Sequence, residues 1–392
     1  MNIVGIIAEY NPFHQGHAWL LAQARRLTGA GFVIIVMSGN YVQRGAPAMF
    51  DKYLRARAAL LHGADLVLEL PPCVATGSAE YFASGAVQLL IQTGIVTDLC
   101  FGSECCDSGM LQRLARILAR EPEDYRKHLQ EALRLGKTYP KARAWALSQY
   151  DPSLPAALLA SPNDLLGMEY LKALYRCKST IRAHTVPRTG ASYHDRQIIP
   201  QTAASASGIR QALNRSRGHF TPDILEQLPS PDIYRTQEGR IPVTEDAFSL
   251  LLLERLMRDP LEPLEQYFGV TPELSNRIRN CLEDFTSFSG FTDLVKTRNL
   301  TRTSVSRALL HILLNIRKYE PAGCFRVLGF RREAAFLLKE LTGQGTLPLV
   351  TSSLDEALPE QWLHADRLYE SVRSLLQGTP FQNECRRKML VL

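Results

Sequence analysis

Two histidines and a glycine stand close together near the start of the chain, in the string EYNPFHQGH at residues 9–17. The string follows the apolar run NIVGIIA and precedes a helical pattern, so a strand is expected to give way to a helix there. A helix N-terminus offers free backbone N–H groups and the positive end of its dipole to an anion. Gly16 lets a phosphate approach the backbone, and His14 and His17 could donate to oxygens that gain charge in a transition state.

Three interpretations of this histidine pair compete. His14 and His17 are three residues apart and could share a metal ion, although the sequence offers no third and fourth ligand at suitable spacing. They could instead cap the helix and take no part in chemistry. The third interpretation is nucleotide binding with chemistry at the α-phosphate, and the position after the first strand of an α/β sheet favours it. The dinucleotide-binding fingerprint differs, because it uses glycines and no histidine.

The elements that must position these residues alternate along the first half of the chain. Short apolar runs rich in β-branched residues predict strands at 2–8, 32–38, 66–71 and 96–102. Helical patterns separate them at 17–27, 51–63 and 79–94. Strands that alternate with helices predict a parallel sheet covered on both faces, with ligands beyond the carboxyl ends of the strands. The loops at those ends are 11–17, 38–45 and 102–104.

Beyond these elements the pattern becomes mainly helical. Residues 107–150 are charged, predict helices and no strand, and are interpreted as an insertion. A helix capped by Ser161 or Asn163 is expected over 161–176, a strand over 179–186, and a loop that enters a helix over 205–213. Proline-containing segments around 228–242 mark a boundary. After it, we expect helices and one short strand at 347–352.

The 392-residue chain has the composition of an ordinary globular protein, with 45% hydrophobic and 21% charged residues. No stretch approaches the ~18 consecutive apolar residues of a membrane span. The N-terminus is expected to be a strand rather than a cleavable signal. Eight cysteines are scattered through the chain and are expected to be reduced thiols, which favours a cytoplasmic location.

Positive charge is concentrated in the second half of the chain. Between residues 291 and 340, ten lysines and arginines face four acids, and this surplus of +6 equals the net charge of the whole chain. Such a surplus favours an anionic partner, and nucleic acid fits best. A solvated helical surface explains the same charge equally well.

Several strings carry a resemblance to a known family. HQGH after a first strand resembles the H-x-G-H signature of the nucleotidyltransferase superfamily, which is related to class I aminoacyl-tRNA synthetases. Longer strings resemble the bacterial tRNA(Met) cytidine acetate ligase family: GIIAEYNPFHQGH, MSGNYVQRGAPAMFDKYLRARAAL, GADLVLELP, FGSE, SPNDLLGMEYLKAL and SYHD. The resemblance runs to about residue 215 and resumes at 301–316 and 326–341. It implies a Rossmann-like α/β nucleotidyltransferase domain over 1–235, with the helical insertion at about 107–150, and a mainly helical tRNA-binding region over 236–392.

The resemblance implies a reaction in two steps. In this family ATP and acetate form acetyl-adenylate, and the acetyl group passes to N4 of the wobble cytidine of elongator tRNA(Met). The implied products are N4-acetylcytidine, AMP and pyrophosphate. ATP and Mg²⁺ are the implied cofactors, since Mg²⁺ accompanies ATP phosphates, and no dedicated metal site is evident. Acetate and elongator tRNA(Met) are the implied partners, and the sequence leaves the oligomeric state open.

The resemblance also implies site residues. His14 and His17 are the expected catalytic contacts to the α-phosphate. The expected nucleotide contacts are Gly5, Ile6, Ile7, Ala8, Glu9, Tyr10, Asn11, Pro12, Phe13, His14, Gln15, Gly16, His17, Gly102, Asn163, Arg188, Ser205, Ser207 and Arg210. Arg210 and the two serines belong to SASGIR, which resembles the second phosphate signature of the superfamily, although Gly208 interrupts the run of hydroxyls. Gly102 could equally be an ordinary strand-end glycine, Asn163 a helix cap and Arg188 a surface charge.

Two further groups are expected to bind the other substrates. Asn40, Asp51 and Lys52 could shape a pocket for acetate or phosphate, although Asp51 is explained equally well as the N-cap of the next helix. Lys296, Arg298, Arg302 and Arg307 are interleaved with hydroxyl residues and are expected to contact tRNA phosphates.

Two rival functions remain open at this stage. One is a small-molecule adenylyltransferase of the same superfamily, which would not need the long basic helical region. The other is a non-catalytic protein that binds ATP and RNA.

Overall fold

The computed structural model describes residues 1–154, 161–188, 204–258 and 262–392. The string SYHD (192–195), which contributes to the resemblance, lies outside the described residues. The strands of the described part are β1 (Ile3–Ala8), β2 (Phe32–Ser38), β3 (Tyr41–Val42), β4 (Ala46–Pro47), β5 (Leu66–Leu70), β6 (Asp98–Ser103), β7 (Arg182–Pro187), β8 (Phe325–Phe330), β9 (Leu349–Val350) and β10 (Leu390–Val391).

One large sheet organises the molecule, with the strand order β10-β8-β5-β2-β1-β6-β7 and with β9 paired to β8. Strands β5, β2, β1, β6 and β7 are parallel neighbours, whereas β8 runs antiparallel to β5. The chain runs outward from β1 to β2 and β5, and then returns to the other side of β1 with β6. This reversal places the topological switch point between β1 and β6, where an open α/β sheet forms its ligand crevice.

Helices cover both faces of the sheet. They are α1 (Gln15–Thr28), α2 (Lys52–Leu61), α3 (Pro72–Ala75), α4 (Ala79–Gln92), α5 (Ser108–Arg120), α6 (Glu123–Arg134), α7 (Tyr139–Tyr150), α8 (Pro162–Arg176), α9 (Ala206–Arg215), α10 (Pro222–Gln227), α11 (Ser249–Arg258), α12 (Pro272–Asn280), α13 (Phe288–Val295), α14 (Arg302–Leu313), α15 (Phe336–Gln344) and α16 (Glu360–Gln377). Among the described residues, no helix has both the length and the apolar character that a membrane crossing requires.

Alternate residues of the strands enter separate cores. Val4 and Ile6 of β1 pack with Leu21 of α1 on one face, whereas Ile3 and Ile7 enter the core of the other face, to which α4 contributes. Side chains of successive strand residues point to opposite faces, so a strand buried on both sides is apolar throughout. This explains why the continuous run IVGIIA forms the central strand.

The structure confirms the α/β fold and the mainly helical C-terminal part. The expected strands at 2–8, 32–38, 66–71, 96–102 and 179–186 correspond to β1, β2, β5, β6 and β7, and the insertion at 107–150 forms α5, α6 and α7. Four strands were not expected. The short strands β3 and β4 pair with each other, and β8 and β10 come from the C-terminal part and extend the sheet beyond β5. The division near residue 235 stays a prediction, but the sheet contains strands from both sides of it.

A set of charged side chains, called here the buried ion cluster, joins the C-terminal part to the sheet. It consists of Lys52, Glu69, Arg326, Asp366 and Glu384, each at most 5% exposed. Lys52 Nζ lies 3.0 Å from Glu69, 2.6 Å from Asp366 and 2.9 Å from Glu384. The Arg326 guanidinium lies 3.1, 2.7 and 2.8 Å from the same three carboxylates. Burial opposes the charge of Lys52, yet the carboxylates raise its pKa well above the ordinary value.

We predict that Lys52→Met lowers the free energy of unfolding by about 3–5 kcal/mol, because it leaves buried carboxylates without one of their two cations. Urea unfolding at pH 7 measures the change. Lys127→Met is the control, since Lys127 is exposed on α6 and, within the described part of the chain, pairs only with neighbours on the same helix. Its unfolding midpoint is expected to stay at the wild-type value. Equal midpoints for Lys52→Met and wild type would contradict a stabilising role of the cluster.

Candidate active site

A cavity of about 400 Å³ opens at the carboxyl ends of β1 and β6, beside the switch point. This volume is typical of small-ligand sites. The structure brings most of the predicted nucleotide contacts into its wall: Ile7, Ala8, Glu9, Tyr10, Asn11, His14, Gly16, His17, Gly102, Asn163, Arg188, Ser205, Ser207 and Arg210. The first turn of α1, the N-terminus of α8, the end of β7 and the start of α9 thus converge on one space.

The two histidines cap α1 reciprocally. His14 is the N-cap residue, and its Nδ1 accepts the Gly16 backbone N–H at 3.0 Å. His17 Nδ1 accepts the His14 backbone N–H at 3.3 Å. A neutral imidazole whose Nδ1 is an acceptor must carry its proton on Nε2. The cap therefore fixes both rings as Nε2–H donors.

Gly16 has a packing role in this arrangement. A Cβ atom at residue 16 would lie 2.9 Å from His14 Cε1, closer than real side chains allow. The His14 and His17 rings stack with centroids 3.8 Å apart, and Tyr10 packs edge-on against His17 at 4.8 Å. The glycine thus leaves room for the stacked imidazoles as well as for a ligand.

Both imidazoles are neutral near pH 7 in the ligand-free protein. Burial, with the nearby positive charges of Arg188 and Arg210, lowers the pKa of His14 to about 3. Burial, then His14 and Arg188, also lower the pKa of His17 well below its usual value. Neutral rings keep their fixed tautomers, so the site offers two oriented donors without a free imidazolium charge.

Arg210 joins α9 to the loop that carries the histidines. Its guanidinium donates to the Asn11 carbonyl at 2.5 Å and to Ser207 Oγ at 3.1 Å. Ser205 is the N-cap of α9, and its hydroxyl accepts the Gly208 backbone N–H at 3.1 Å. Gly208 lacks the hydroxyl expected in this run, but its backbone N–H contributes to the cap. A second helix N-terminus therefore faces the cavity next to a guanidinium, as an anion site requires.

Glu104 links the two residues at the opposite edge. Its carboxylate accepts the Asn163 side-chain amide and the Ser161 hydroxyl, and it lies 3.9 Å from Arg188. Ser161, not Asn163, is the N-cap of α8. A Cβ atom on Gly102 would lie 3.3 Å from Arg188 Cγ, so the arginine stem passes close over this glycine. Sequence analysis did not single out Glu104 as a site residue.

Five residues of the predicted nucleotide stretch do not line the cavity: Gly5, Ile6, Pro12, Phe13 and Gln15. Gly5 faces α4, where a Cβ atom would meet Leu90 at 2.7 Å, and the side chains of Ile6 and Phe13 are fully buried in a core. Gly5 and Ile6 lie within β1, and only the end of that strand reaches the crevice.

The structure also keeps Asn40, Asp51 and Lys52 away from the cavity wall. Lys52 belongs to the buried ion cluster, and the Asn40 side-chain amide donates to Asp366 at 2.9 Å. Asp51 is the N-cap of α2 and accepts the N–H groups of Tyr53 and Leu54. Their side chains make these structural contacts, and their role in binding acetate or phosphate stays a prediction.

The predicted tRNA contacts lie outside the cavity as well. Lys296 and Arg302 both pair with Asp293, at 2.7 and 3.4 Å. Arg307 is partly buried, and its guanidinium lies 3.5 Å from the Gly77 carbonyl. Arg298 is exposed. Part of the local positive charge is therefore compensated by acids of the same chain.

Several wall residues were missed by sequence analysis: Trp19, Gln43, Arg44, Phe82, Phe101 and Tyr170. Gln43 and Arg44 lie in the strand-end loop 38–45, and that position was the available signal. The aromatic residues gave none, because an aromatic side chain in a helix or strand looks like a core residue. Among the described residues, no three histidine, cysteine or acidic side chains gather as a metal site.

Comparisons with known proteins agree with this geometry. The family model described as HIGH Nucleotidyl Transferase matches residues 1–384. The tRNA(Met) cytidine acetate ligase of Halothermothrix orenii is 36% identical, with 100% of this chain and 99% of the relative covered, and that of Acetivibrio thermocellus is 37% identical, with 91% and 89% covered. Two crystal structures of Thermotoga maritima TmcAL cover 100% of both chains. The apo form has a TM-score of 0.90 at 32% identity, and the form bound with alpha-thio ATP has a TM-score of 0.88 at 31% identity.

The depressed pKa of His14 predicts a pH-dependent stability. Below about pH 6.5 His14 is protonated in the unfolded chain, whereas in the folded protein it stays neutral down to about pH 3. The free energy of unfolding therefore falls as the pH drops through this window. His14→Asn keeps a good N-cap and removes the titrating ring. We expect the variant to lose about 1.4 kcal/mol less per pH unit than wild type between pH 5.5 and 4.5, measured by urea unfolding. Parallel pH dependences of the two proteins would contradict the assignment.

Proposed function

The chain belongs to the tRNA(Met) cytidine acetate ligase family, and we propose that it activates acetate with ATP and acetylates N4 of the wobble cytidine of elongator tRNA(Met). The observation that supports this most directly is the pair of fixed Nε2–H donors beside Arg188 and Arg210 in one cavity. Such a set of donors suits a phosphate whose oxygens gain charge during the reaction.

In the first step, an acetate oxygen attacks the α-phosphorus of ATP, and pyrophosphate leaves. Catalysis of this step is mostly positioning and charge stabilisation. His14 and His17 would donate through Nε2–H to the α-phosphate. Arg210, Ser205 and Ser207 would hold the β- and γ-phosphates at the start of α9, where a guanidinium and a helix N-terminus meet.

The donor set of the cavity fits ATP better than it fits a resident metal ion. Among the described residues, Glu9 is the only carboxylate in the wall, whereas Arg44, Arg188 and Arg210 are cationic. Mg²⁺ usually binds through substrate phosphates and water together with one or two carboxylates. Mg²⁺ would therefore enter with ATP and neutralise charge on its phosphates, while the arginines and histidines orient the nucleotide.

In the second step, the acetyl group passes to the cytidine amine, and AMP leaves. An anticodon loop can present an unstacked base, which a duplex cannot do. Acetate, ATP and tRNA are all cytoplasmic compounds, and we place the reaction in the cytoplasm. The basic region around Arg298 and Arg302 would contact phosphates of the tRNA backbone, which position the RNA and carry no sequence information.

The first test separates phosphate chemistry from helix capping. His14→Asn retains an N-cap acceptor but lacks the Nε2–H donor, so we expect acetate-dependent ATP–pyrophosphate exchange to fall by roughly 10²–10³. Its affinity for tRNA should stay within a few-fold of wild type. A wild type that exchanges pyrophosphate only with a small phosphate ester, or not at all, would favour one of the two rival functions. Exchange at the wild-type rate in His14→Asn would contradict the role of the ring.

A second test concerns the basic region. Arg298→Gln combined with Arg302→Gln should weaken tRNA binding and lower the slope of log affinity against log salt by roughly 0.7–0.9 for each lost phosphate contact. Arg126→Gln with Arg134→Gln, on the exposed face of α6, removes the same charge elsewhere and serves as the matched control. Equal slopes for the two double variants would show that the effect comes from net charge and not from a contact.

A further inference from the structure

Glu9 stands out electrostatically in the cavity. Among the described residues it is the single carboxylate of a wall that otherwise offers arginines, imidazoles and hydroxyls to anions. A carboxylate about 4 Å from a phosphate would repel it by about 1 kcal/mol in water and about 4 kcal/mol near a protein surface. Such a group would be unfavourable in an ATP and acetate site unless it met a proton donor.

The structure holds Glu9 firmly in position. Its Oε1 accepts the Gln43 backbone N–H at 2.6 Å. Its carbonyl accepts from the fully buried Arg55 at 2.6 Å, and Arg55 also binds the Ser38 and Gly39 carbonyls at the end of β2. The hydrogen bond from Gln43 uses only part of the acceptor capacity of the carboxylate. Glu9 is therefore oriented and still able to accept a proton.

The same cavity that contains Glu9 has an aromatic part of its wall. Phe101 and Tyr170 form an aromatic pair with centroids 5.7 Å apart, and Phe82 lines the same cavity. Burial, and then the charge of Glu9, raise the pKa of the Tyr170 phenol. A flat base and an acetyl methyl group would fit against such a surface.

The chemistry of the two steps differs in its need for a base. Acetate and ATP give acetyl-adenylate and pyrophosphate without releasing a proton, whereas acylation of an amine releases one. The histidines are poorly suited to accept it, because each Nδ1 already accepts a backbone N–H and each Nε2 carries the donor proton. The Tyr170 phenol is protonated near pH 7, since its pKa is raised. Glu9 is the remaining candidate, as the single carboxylate of the described wall.

We propose that Glu9 is the catalytic base of acetyl transfer, which accepts a proton of the cytidine N4 amine. This inference rests on the proposed function. The N4 nitrogen forms a bond to the acetyl carbonyl carbon, the bond from that carbon to the AMP oxygen breaks, and AMP leaves with the electron pair. The N4 proton passes to the Glu9 carboxylate and then to solvent. Carboxylates also suit the ground state, because they accept hydrogen bonds from cytosine N4.

The test is to measure the two steps separately in Glu9→Gln, which keeps the size of the side chain and an acceptor for the Gln43 N–H. Glu9 lines the nucleotide cavity, so acetate-dependent ATP–pyrophosphate exchange serves as the internal reference, and we expect the transfer step to lose far more than exchange does. We expect single-turnover transfer from preformed acetyl-adenylate to tRNA to fall by roughly 10²–10⁴, the usual contribution of a general base. Retained exchange also shows that the variant is folded.

Several results would overturn the inference. If exchange by Glu9→Gln is slower and extra Mg²⁺ restores it, Glu9 would be a ligand of the metal ion. If the variant has a raised KM for ATP, Glu9 would accept a hydrogen bond from the adenine amine. Transfer that Glu9→Gln preserves and Tyr170→Phe loses would assign the proton to the phenol. If the wild-type protein shows no acetate-dependent exchange, the proposed function itself fails. If the wild-type protein is active in both steps and Glu9→Gln is equally active, only the role of Glu9 fails.

Discussion

The geometry of the site depends on how the first turn of α1 satisfies its free backbone N–H groups. Two imidazole nitrogens accept N–H groups there, and these bonds set the orientation and the tautomer of both rings at once. Capping and chemistry are therefore compatible interpretations of the histidine pair. A serine or aspartate cap would satisfy a backbone N–H equally well. It would not present a second nitrogen with its proton directed away from the cap.

The low basicity of the histidines follows from the same packing. Burial disfavours the imidazolium, and the positive charges of Arg188 and Arg210 disfavour it further. The arginines of the cavity thus supply the positive charge that attracts an anion, and the neutral imidazole rings supply oriented hydrogen-bond donors. An arrangement of this kind needs little reorganisation when charge develops on a phosphate oxygen, which is the condition for strong electrostatic catalysis. It also leaves proton transfer to another group.

The sequence predicted the parts of the molecule that depend on local patterns. Apolar runs and helical periods located β1, β2, β5, β6, β7 and the helices between them, and the strand-loop-helix junction located the histidines. The sequence did not predict β8 and β10, because RVLGF is short and its partner β5 lies more than 250 residues earlier. The sequence also did not indicate that Lys52 and Arg326 would be buried together, for a related reason. Charged residues are usually exposed, and only the tertiary fold shows that three distant carboxylates surround these two.

The C-terminal part also supports the cavity. The loop after β2 carries the wall residues Gln43 and Arg44, and the C-terminal part forms hydrogen bonds to this segment. Ser306 of α14 donates to the Gly45 carbonyl at 2.8 Å, and Tyr369 of α16 donates to the Ala48 carbonyl at 2.9 Å. The buried ion cluster joins α16 to β5 and β8 of the sheet. Packed contacts of this kind are sufficient to couple the C-terminal part to the cavity wall energetically. The region proposed to bind RNA and the wall that contains Glu9 are therefore parts of one packed structure.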